Sequence, residues 1–447
     1  MAKKISRRGF LKGAGGTVAG AAVAGMAVGA GVTALPPRAQ AAGAVMNKKA
    51  AVPKAMGARV VVVGGGWSGL TLSKYLKKED SKLDVVLIES RATFMSCPIS
   101  NLWLAGLVDY EFITYSFLDA ARNNDYTFFN ATVIDVDRGA RKVFTEQGFV
   151  DYDYLVLAPG IDYDYGAIGV SDPEDVYMLS THYPAAFKPG SEHLSLKQKI
   201  HEFEGGAFVL TVPSGNYRGL PAPYERACMV AAIFKKERIK GKVLLLDANP
   251  DVTIKGPGFH AAFEELYKDH LEYVPSVTIT GVDVHKKKVT SEFDEFDFDD
   301  AAIYPRVRAA KLIETLGLVD PNSPQKEAHI DPFKYNVVGD ERVYVTGDSR
   351  PMPFSKSGNT ARSEGKFVAK LIAARAKGHD VEWESPRTIC YSVVNIDPME
   401  AIMVDATYAY DGESFGFTNV KMINDRDSIQ AQSTLEWARS HYRDMFS

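Results

Sequence analysis

The most constraining feature of this chain is a glycine-rich turn between a buried strand and a helix. The run "RVVVVGGGWSGL" places Gly64, Gly66 and Gly69 in the pattern G-x-G-x-x-G, and a second apolar strand, "DVVLIES", ends at Glu89. In such a βαβ unit the glycines let the backbone approach a pyrophosphate, which lies at the helix N-terminus where unpaired N–H groups favour negative charge. An acid 20 residues past the last glycine can accept hydrogen bonds from a ribose. The unit therefore predicts a dinucleotide site.

Two later stretches indicate which dinucleotide is bound. The stretch "YDYLVLAPGID" is a buried strand followed by Pro159 and Gly160, and "ERVYVTGDSRP" is a strand that ends in Gly347 and Asp348. In this order, and at these distances from the first turn, they resemble the two-dinucleotide-domain flavoproteins. In those proteins the first strand end crosses near the cofactor and the late Gly-Asp binds the ribityl chain of FAD. The resemblance implies FAD as the cofactor.

A second α/β region follows, with strands "GAFVLTV" and "KVLLLDAN" and a helix from about Tyr224 to Lys240. Where a second dinucleotide motif would lie, the sequence reads "VPSGNYRGLPAPYERA". Gly215 and Gly219 lack the required spacing, and three prolines stiffen the loop. NAD(P)H therefore has no evident phosphate cradle, and we expect the electron donor or acceptor to be something other than a nicotinamide.

The C-terminal part predicts a few strands, beginning with "CYSVVNIDPMEAIMVDATYAYDG", and then an amphipathic helix over about Ser428 to Met445. We expect this part to pack near the flavin or to form a subunit interface. The acidic stretch "EFDEFDFDD", residues 292–300, favours an edge strand and a solvated turn over a metal site, because it lacks the ligand alternation and the mid-loop glycine of a calcium loop. No metal site is predicted.

The N-terminus predicts export. The stretch "SRRGFLKGAGG" carries Arg7 and Arg8 and precedes a weakly apolar run, after which "PPRAQAA" offers an A-x-A cleavage site. Residues 1–41 resemble a Tat signal peptide, and an N-terminal membrane anchor is the alternative. Because Tat substrates cross the membrane folded, a tightly held cofactor and a periplasmic location are expected.

Composition argues against two classes of partner. The chain is 46% hydrophobic and 24% charged, with a net charge of -4 and no basic tract interleaved with aromatics after the N-terminus, so no nucleic-acid partner is expected. No later stretch approaches ~18 consecutive apolar residues, so we expect no stable membrane insertion of the mature chain. The 3 cysteines allow at most one disulfide.

Several motifs spread over nearly all of the mature chain resemble one family. They are "VVVVGGGWSGLTLSKYLK", "SCPISN", "LVLAPGIDYDY", "PAPYERA", "TGDSRPMPFSKSGNTA" and "ICYS". The family is that of the flavoprotein subunit of flavocytochrome c sulfide dehydrogenase, which is related to the sulfide:quinone reductases. The resemblance implies an α/β fold with two Rossmann-like dinucleotide-binding domains, of the glutathione-reductase-like type, plus a small α+β C-terminal domain. The implied parts are a discontinuous FAD-binding domain (58–165 and 301–378), a second domain without an NAD motif (166–300) and an interface domain (379–447).

In that family the cysteine of the C-x-x-S-N stretch bonds covalently to the flavin 8α-methyl carbon, and Cys97 in "SCPISN" matches it. A covalent bond suits a compartment in which a lost flavin is not easily replaced. The alternative for Cys97 is a small buried hydrophobic residue. The predicted cofactor-binding residues are then Gly64, Gly66, Trp67, Ser68, Gly69, Glu89, Ser90, Cys97, Val133, Pro159, Gly160, Gly347, Asp348 and Lys356.

Family members that oxidise sulfide carry a redox-active cysteine pair over the flavin. One cysteine lies just before the P-x-P-Y-E-R stretch and the other just after the late Gly-Asp. Here these regions read "YRGLPAPYERA" and "GDSRPMP", so the pair is absent. Sulfur nucleophiles require a thiolate, and we interpret the two remaining cysteines, Cys228 and Cys390, as structural.

Direct hydride or electron transfer to the flavin needs no protein sulfur. We expect Glu225, in "PYERA", to accept a proton, and Lys356, in "PFSKSG", to steady negative charge on the reduced ring. A salt bridge is the alternative role for each. Arg350, which replaces one of the family's cysteines, hints at an anionic substrate.

The resulting prediction is an exported FAD-dependent dehydrogenase, the flavin half of a flavocytochrome c, acting on a reduced sulfur compound or another small donor. The family passes electrons to a c-type cytochrome, and because this chain has no C-x-x-C-H motif the haem would belong to that partner. The alternatives are a quinone-linked enzyme of the sulfide:quinone reductase kind and a flavin electron-transfer or assembly protein without a substrate of its own.

Overall fold

The computed structural model describes residues 47–447, and the predicted export signal at residues 1–41 lies outside the described residues. The helices of this part are α1 (Trp67–Glu79), α2 (Ser100–Leu104), α3 (Tyr110–Ile113), α4 (Phe117–Asn123), α5 (Pro173–His182), α6 (Ser191–Glu202), α7 (Ala222–Glu237), α8 (Gly256–Leu266), α9 (Lys311–Thr315), α10 (Gly358–Arg375) and α11 (Ser428–Phe446).

The strands form several separate sheets. In chain order they are β1 (Arg59–Val63), β2 (Asp84–Glu89), β3 (Thr93–Met95), β4 (Thr114–Ser116), β5 (Thr127–Asn130), β6 (Val133–Asp137), β7 (Lys142–Thr145), β8 (Gly148–Asp151), β9 (Tyr154–Leu157), β10 (Ile161–Asp164), β11 (Gly205–Val212), β12 (Lys240–Asp247), β13 (Leu271–Val274), β14 (Ile279–Asp283), β15 (Lys288–Ser291), β16 (Glu295–Asp297), β17 (Asp300–Ala302), β18 (Arg306–Ala309), β19 (Asn336–Val337), β20 (Asp340–Val345), β21 (Arg387–Ile396), β22 (Met399–Tyr410) and β23 (Phe415–Asp427).

The first sheet contains the glycine-rich unit. Its strand order is β19-β20-β9-β1-β2-β5, and β19 alone runs antiparallel to its neighbour. All of β1 is buried, as expected of a central parallel strand that is covered on both faces. Helix α10 approaches α1 so closely at Gly365 that a Cβ there would lie only 2.8 Å from the Ser68 carbonyl oxygen. The predicted strand–turn–helix–strand unit is confirmed, and the carboxyl ends of β1, β2, β9 and β20 share one edge.

The second sheet is entirely parallel, with the order β13-β12-β11-β17. Helix α7 connects β11 to β12, and it ends before Lys240 because that residue begins β12. The antiparallel pair β10 and β18 links the chain segments that leave and re-enter the first sheet. The predicted α/β class with two dinucleotide-domain-like sheets is confirmed.

The C-terminal region is an antiparallel meander, β21-β22-β23, followed by α11. These strands and this helix were predicted from the sequence and are confirmed. The acidic stretch also contributes the predicted edge strand, since β16 lies at the edge of the small sheet β14-β15-β16. Its last residue, Asp300, instead begins β17 in the second sheet.

The described residues belong to one compact unit, so the boundaries at 165, 300 and 378 stay a prediction. None of the described helices combines the length and the apolar composition that crossing a membrane requires. Within the same residues, no group of three or more His, Cys, Asp or Glu side chains is arranged to hold a metal ion.

Candidate active site

A cavity of about 550 Å³ lies at the carboxyl ends of β1, β2, β9 and β20. The turn before α7, the segment leading into α2, β21 and α11 complete its wall. Of the predicted cofactor-binding residues, all except Gly69 line it. Open α/β sheets bind ligands outside the carboxyl ends of their strands, and ligand sites commonly have volumes of this order.

The glycine-rich turn forms a backbone cradle at this cavity. Gly64 has a φ of +101°, and a Cβ there would lie 2.3 Å from the Ala158 carbonyl oxygen, so only glycine fits. Gly69 lies behind the turn, where a Cβ would lie 1.9 Å from the Gly64 carbonyl oxygen, and it permits helix packing without lining the cavity. Gly66 precedes α1 and provides no side-chain cap, which leaves the first N–H groups of α1 for an anion.

Glu89 ends β2 and is buried in the wall. Its carboxylate accepts hydrogen bonds from the Gly65 N–H (2.7 Å) and from the backbone N–H and guanidinium of Arg91 (2.9 and 3.0 Å). Burial would raise the Glu89 pKa, but Arg91 and the backbone donors outweigh it and hold the pKa below its ordinary value. The carboxylate therefore stays ionised and can accept hydrogen bonds from a ribose. The sequence did not indicate Arg91, whose contribution depends on a turn that folds back onto Glu89.

Asp348 and Lys356 both line the cavity, and each is part of an ion pair. Asp348 Oδ2 accepts from Arg218 Nε at 2.6 Å, while Lys356 Nζ donates to Glu327 Oε1 at 2.6 Å and to the Asp348 carbonyl oxygen at 2.7 Å. Burial lowers the Lys356 pKa, and the Glu327 charge opposes that shift. Arg218 and Glu327 were not predicted, because they are 130 and 29 residues from their partners in the chain.

Asn101 joins the motifs "SCPISN" and "PAPYERA" across the cavity wall. Its Nδ2 donates to Glu225 Oε2 at 2.7 Å, and its Oδ1 accepts from Arg226 Nε at 3.0 Å. The Val393 N–H donates to the other Glu225 oxygen at 2.7 Å. Burial raises the Glu225 pKa against these hydrogen bonds and the charges of Lys255 and Arg226. Glu225 is thus a buried carboxylate with increased proton affinity, which suits a proton acceptor.

The three cysteines lie in different surroundings. Cys97 is half-buried and lines the cavity, whereas Cys228 is fully buried in α7, as a structural residue would be. Cys390, which we also interpreted as structural, lines the cavity from β21. Behind it the buried Lys255 Nζ donates to the Cys390 carbonyl oxygen (3.2 Å) and to Ser392 Oγ (2.7 Å). Burial raises the pKa of the Cys97 and Cys390 thiols.

Arg350 does not line the cavity, contrary to the expectation that it receives an anionic substrate. Its side chain is 0% exposed, its Nε donates to Glu364 Oε1 at 2.7 Å, and its Nη1 donates to the Met352 carbonyl oxygen at 2.7 Å. The Glu364 carboxylate already neutralises it. Arg350 therefore joins the turn after β20 to α10, and the suggestion of an anion site at this residue is wrong.

Helix α11 contributes Thr434 and Trp437 to the cavity wall. The Trp437 ring stacks on Trp67, with ring centroids 5.4 Å apart and an interplanar angle of 18°. Trp437 Nε1 donates to Asn359 Oδ1 at 3.2 Å. The helix was predicted, but its stacking partner at the start of α1 lies several hundred residues away in the chain and carries no sequence signal.

At the corresponding edge of the second sheet, both carboxylate oxygens of Asp247, which ends β12, already accept hydrogen bonds from protein groups. Asp247 is 0% exposed. Its Oδ2 accepts from the Tyr224 and Tyr273 hydroxyls (2.7 and 2.9 Å), and its Oδ1 accepts from the Asn249 N–H and Nδ2 (2.8 and 2.7 Å). In a dinucleotide site this acid would accept hydrogen bonds from a ribose. Here protein donors occupy both of its oxygens.

Two family models match the chain. Residues 58–181 match the pyridine nucleotide-disulphide oxidoreductase model. Residues 194–305 match the model for the central part of the sulfide dehydrogenase [flavocytochrome c] flavoprotein chain.

Similar proteins include two type II NADH:quinone oxidoreductases. The protein from Staphylococcus aureus (strain NCTC 8325 / PS 47) is 31% identical over 355 residues, which cover 72% of this chain and 84% of that protein. The one from Staphylococcus haemolyticus is 25% identical over 366 residues, covering 74% and 87%.

Among solved structures, the sulfide:quinone oxidoreductase from Aquifex aeolicus has a TM-score of 0.70 at 18% identity and covers 87% of this chain and 91% of its own. NDH2 from Plasmodium falciparum in complex with NADH has a TM-score of 0.63 at 12% identity, covering 87% and 97%. At these identities the likeness concerns the fold.

Proposed function

Because the chain belongs to the FAD-binding pyridine nucleotide-disulphide oxidoreductase family, which includes the type II NADH:quinone oxidoreductases, we propose that it is an exported dehydrogenase of the flavocytochrome c type. In this proposal it oxidises a reduced sulfur compound or another small donor and passes the electrons to a c-type cytochrome. The observation that carries the proposal is the single cavity shared by the glycine cradle, Asp348 and Glu225. The match of residues 194–305 to a flavocytochrome c flavoprotein supports the cytochrome-linked form.

The residues around the cavity fit FAD. Gly64 and Gly347 have positive φ angles, and the missing side chain of Gly66 leaves open space at the start of α1, where a Cβ would meet no atom within 4 Å. The uncapped start of α1 can bind the phosphates, Glu89 a ribose and Asp348 the ribityl chain. When bound, the flavin supplies a centre that takes two electrons from a donor and releases them singly to an acceptor.

The chain's own groups would hold the donor and move its proton. Glu225 would accept a proton from a donor in the cavity, and Asn101 and the Val393 N–H keep its carboxylate in place. Lys356 and Arg218 also line the cavity, where carboxylate partners hold them, and Lys356 would stabilise negative charge on the reduced ring.

The proposed covalent bond of Cys97 to the flavin has a direct test. After acid precipitation, we expect wild-type protein to give a yellow pellet and Cys97→Ala to release its flavin into the supernatant. Cys228→Ala, which removes a buried thiol from α7, serves as the control and keeps the pellet yellow. Wild-type flavin that washes into the supernatant would contradict the covalent bond.

Donor and acceptor are tested by anaerobic mixing. We expect sulfide or another small reductant to bleach the flavin, and a c-type cytochrome to restore its colour faster than a soluble quinone analogue does. The similarity to quinone oxidoreductases favours the quinone-linked alternative, and the reverse order of acceptor rates would support it. If no donor bleaches the flavin while a cytochrome still exchanges electrons with it, the dehydrogenase proposal fails.

We also propose Tat-dependent export to the periplasm on the basis of residues 1–41. Replacing both Arg7 and Arg8 by lysine should retain the protein in the cytoplasm, as measured by cell fractionation. Unchanged export of this variant would rule out the twin-arginine route.

A further inference from the structure

Arg226 is a buried guanidinium without a carboxylate partner among residues 47–447. Its side chain is 3% exposed, and it donates only to neutral oxygens: Nε to Asn101 Oδ1 at 3.0 Å, Nη2 to the Ala186 carbonyl at 2.8 Å, and Nη1 to the Ala185 carbonyl. The Phe187 ring centroid lies 4.1 Å from its Cζ. Burial of an unpaired charge is costly. Arg226 nevertheless places in the cavity wall a positive charge that belongs to no ion pair.

Asn101 connects this guanidinium to the segment that carries Cys97. The segment runs from Cys97 through Ile99, whose φ of +74° is unusual for a β-branched residue, into α2. Because Asn101 Nδ2 donates to Glu225 at 2.7 Å, its Oδ1 is the atom that faces Arg226. Cys97 and Arg226 therefore line one cavity in a fixed mutual arrangement.

The other charged groups near Cys97 act on the thiol in both directions. Arg218 is paired with Asp348 at 2.6 Å, so their effects on the thiol oppose each other. Burial raises the Cys97 pKa, Arg218 and Arg226 lower it, and Asp348 and Glu192 raise it further. The phenols of Tyr304 and Tyr442 also interact with the thiol electrostatically. Of the two arginines near the thiol, Arg226 is thus the one that donates to no carboxylate among the described residues.

We propose that Arg226 is the positioning residue that stabilises the Cys97 thiolate during attachment of the flavin. This rests on the covalent bond proposed above. In that step the bond between sulfur and the 8α carbon forms, one C–H bond of the methyl group breaks, and its proton passes to solvent. The flavin ring is left with two additional electrons, which an external oxidant such as dioxygen or ferricyanide removes.

The test uses the full chain produced under riboflavin limitation. FAD is added with ferricyanide at about pH 6 to about pH 9, and acid-stable flavin is followed with time. We expect Arg226→Gln to attach flavin about 10-fold more slowly near neutral pH and to raise the inflection of the rate profile by about one pH unit. Arg226→Lys, which keeps the charge, should retain the wild-type inflection. Arg238→Gln, exposed just after α7, is the control.

Non-covalent FAD binding to each variant is measured separately by flavin fluorescence. Wild-type protein that binds FAD but never becomes acid-stable would refute the covalent bond itself. Wild-type attachment together with an unchanged rate and inflection in Arg226→Gln would overturn only the role of Arg226. If Arg226→Gln binds no FAD, the rate at which iodoacetamide alkylates Cys97 is measured against pH in the flavin-free wild type and variant. Equal inflections of these two rate profiles would overturn the inference.

Discussion

The buried basic side chains around the cavity differ in whether a carboxylate neutralises them. Arg218, Arg350 and Lys356 each lie within 2.7 Å of a carboxylate oxygen. Arg226 and Lys255 donate only to neutral oxygens among the described residues. Removing one partner of a buried ion pair leaves an uncompensated charge and is strongly destabilising, so these carboxylates fix the first three side chains in place. Of the other two, Arg226 lines the cavity, and Lys255 donates to the backbone of Cys390 in the wall.

Glu225 offers a prediction about catalysis. If it accepts the donor's proton, flavin bleaching should accelerate as pH rises through the Glu225 pKa, which burial places above its ordinary value of 4.5. Glu225→Gln should remove that dependence and slow bleaching about 100-fold, the lower range for loss of a general base. Stopped-flow absorbance checks this, with Glu237→Gln at the exposed end of α7 as the control. A rate near that of wild type would assign Glu225 a structural role.

His193 predicts how stability depends on pH. It is fully buried, and burial, aided by the Arg226 charge, lowers its pKa to about 3 from 6.5. Between pH 6.5 and about pH 3, His193 is protonated in the unfolded chain but stays neutral in the folded chain. The contribution to stability that is present above pH 6.5 is therefore lost as the pH falls toward 3. Between neutral pH and about pH 5 this amounts to about 2 kcal/mol.

Urea unfolding of wild type and His193→Gln at both pH values measures this contribution. When the pH is lowered from neutral to about 5, the free energy of unfolding should decrease by about 2 kcal/mol less in the variant than in the wild type. His285→Gln, which is exposed, should behave like wild type. Equal decreases in wild type and His193→Gln would show that His193 titrates normally in the folded chain.

The sequence identified residues whose role depends on local backbone geometry. Gly64 was predicted because a tight turn at the strand end requires glycine, and it lines the cavity with a φ of +101°. Gly347, which the family resemblance predicted, lines the cavity as well. Arg350 was misjudged, and the position of Cys390 could not be predicted, because a side chain's surroundings depend on contacts distant in sequence. Glu364 neutralises Arg350 from α10, and folding of β21 over the cavity brings Cys390 to the wall.

Elements with strong periodicity were predictable, but their docking was not. The valine run of β1 and the apolar face of α11 specify a strand and a helix by local pattern. Nothing local specifies that α11 returns to α1 and stacks Trp437 on Trp67. The end of α11 is held by an aromatic cluster, in which the Phe446 ring lies 4.5 Å from Tyr115 at an angle of 13°.

Phe446→Ala should therefore weaken docking of α11. The side chain is 7% exposed, and removal of a buried aromatic ring costs about 3 kcal/mol. Urea unfolding of the FAD-loaded protein, followed by tryptophan fluorescence, measures the change. Arg443→Ala, on the exposed side of the same helix, should change stability by less than about 0.5 kcal/mol. A similarly small effect of Phe446→Ala would mean that the helix end contributes little to the fold.

At the scale of the whole molecule, two parallel sheets present their strand ends differently. The first sheet opens into the cavity of about 550 Å³, while the acid at the end of β12 is occupied by protein donors. The sequence predicted this asymmetry from the missing glycine motif. It did not show that tyrosine hydroxyls donate to Asp247 in the place of ribose hydroxyls. Tyr224 and Tyr273 reach Asp247 from α7 and β13 only once the second sheet has formed.

This asymmetry predicts that NADH is not a donor, although relatives carry the name NADH:quinone oxidoreductase. A ribose would have to displace the four hydrogen bonds that Asp247 accepts at 2.7–2.9 Å. Each displaced buried partner would cost about 1–3 kcal/mol, which a nucleotide without a phosphate cradle cannot recover. Anaerobic NADH should therefore leave the flavin oxidised under conditions in which the true donor bleaches it within seconds.

Tyr224→Phe with Tyr273→Phe provides the matched comparison, because it frees Asp247 Oδ2 while keeping both rings. This variant should remain unreactive toward NADH, since the glycine cradle is still missing from the turn after β11. Saturable bleaching of the wild-type flavin by NADH would mean that the second sheet rearranges to admit the nucleotide. Bleaching only of the double variant would instead identify the tyrosine hydroxyls as the barrier that separates this chain from NADH-dependent relatives.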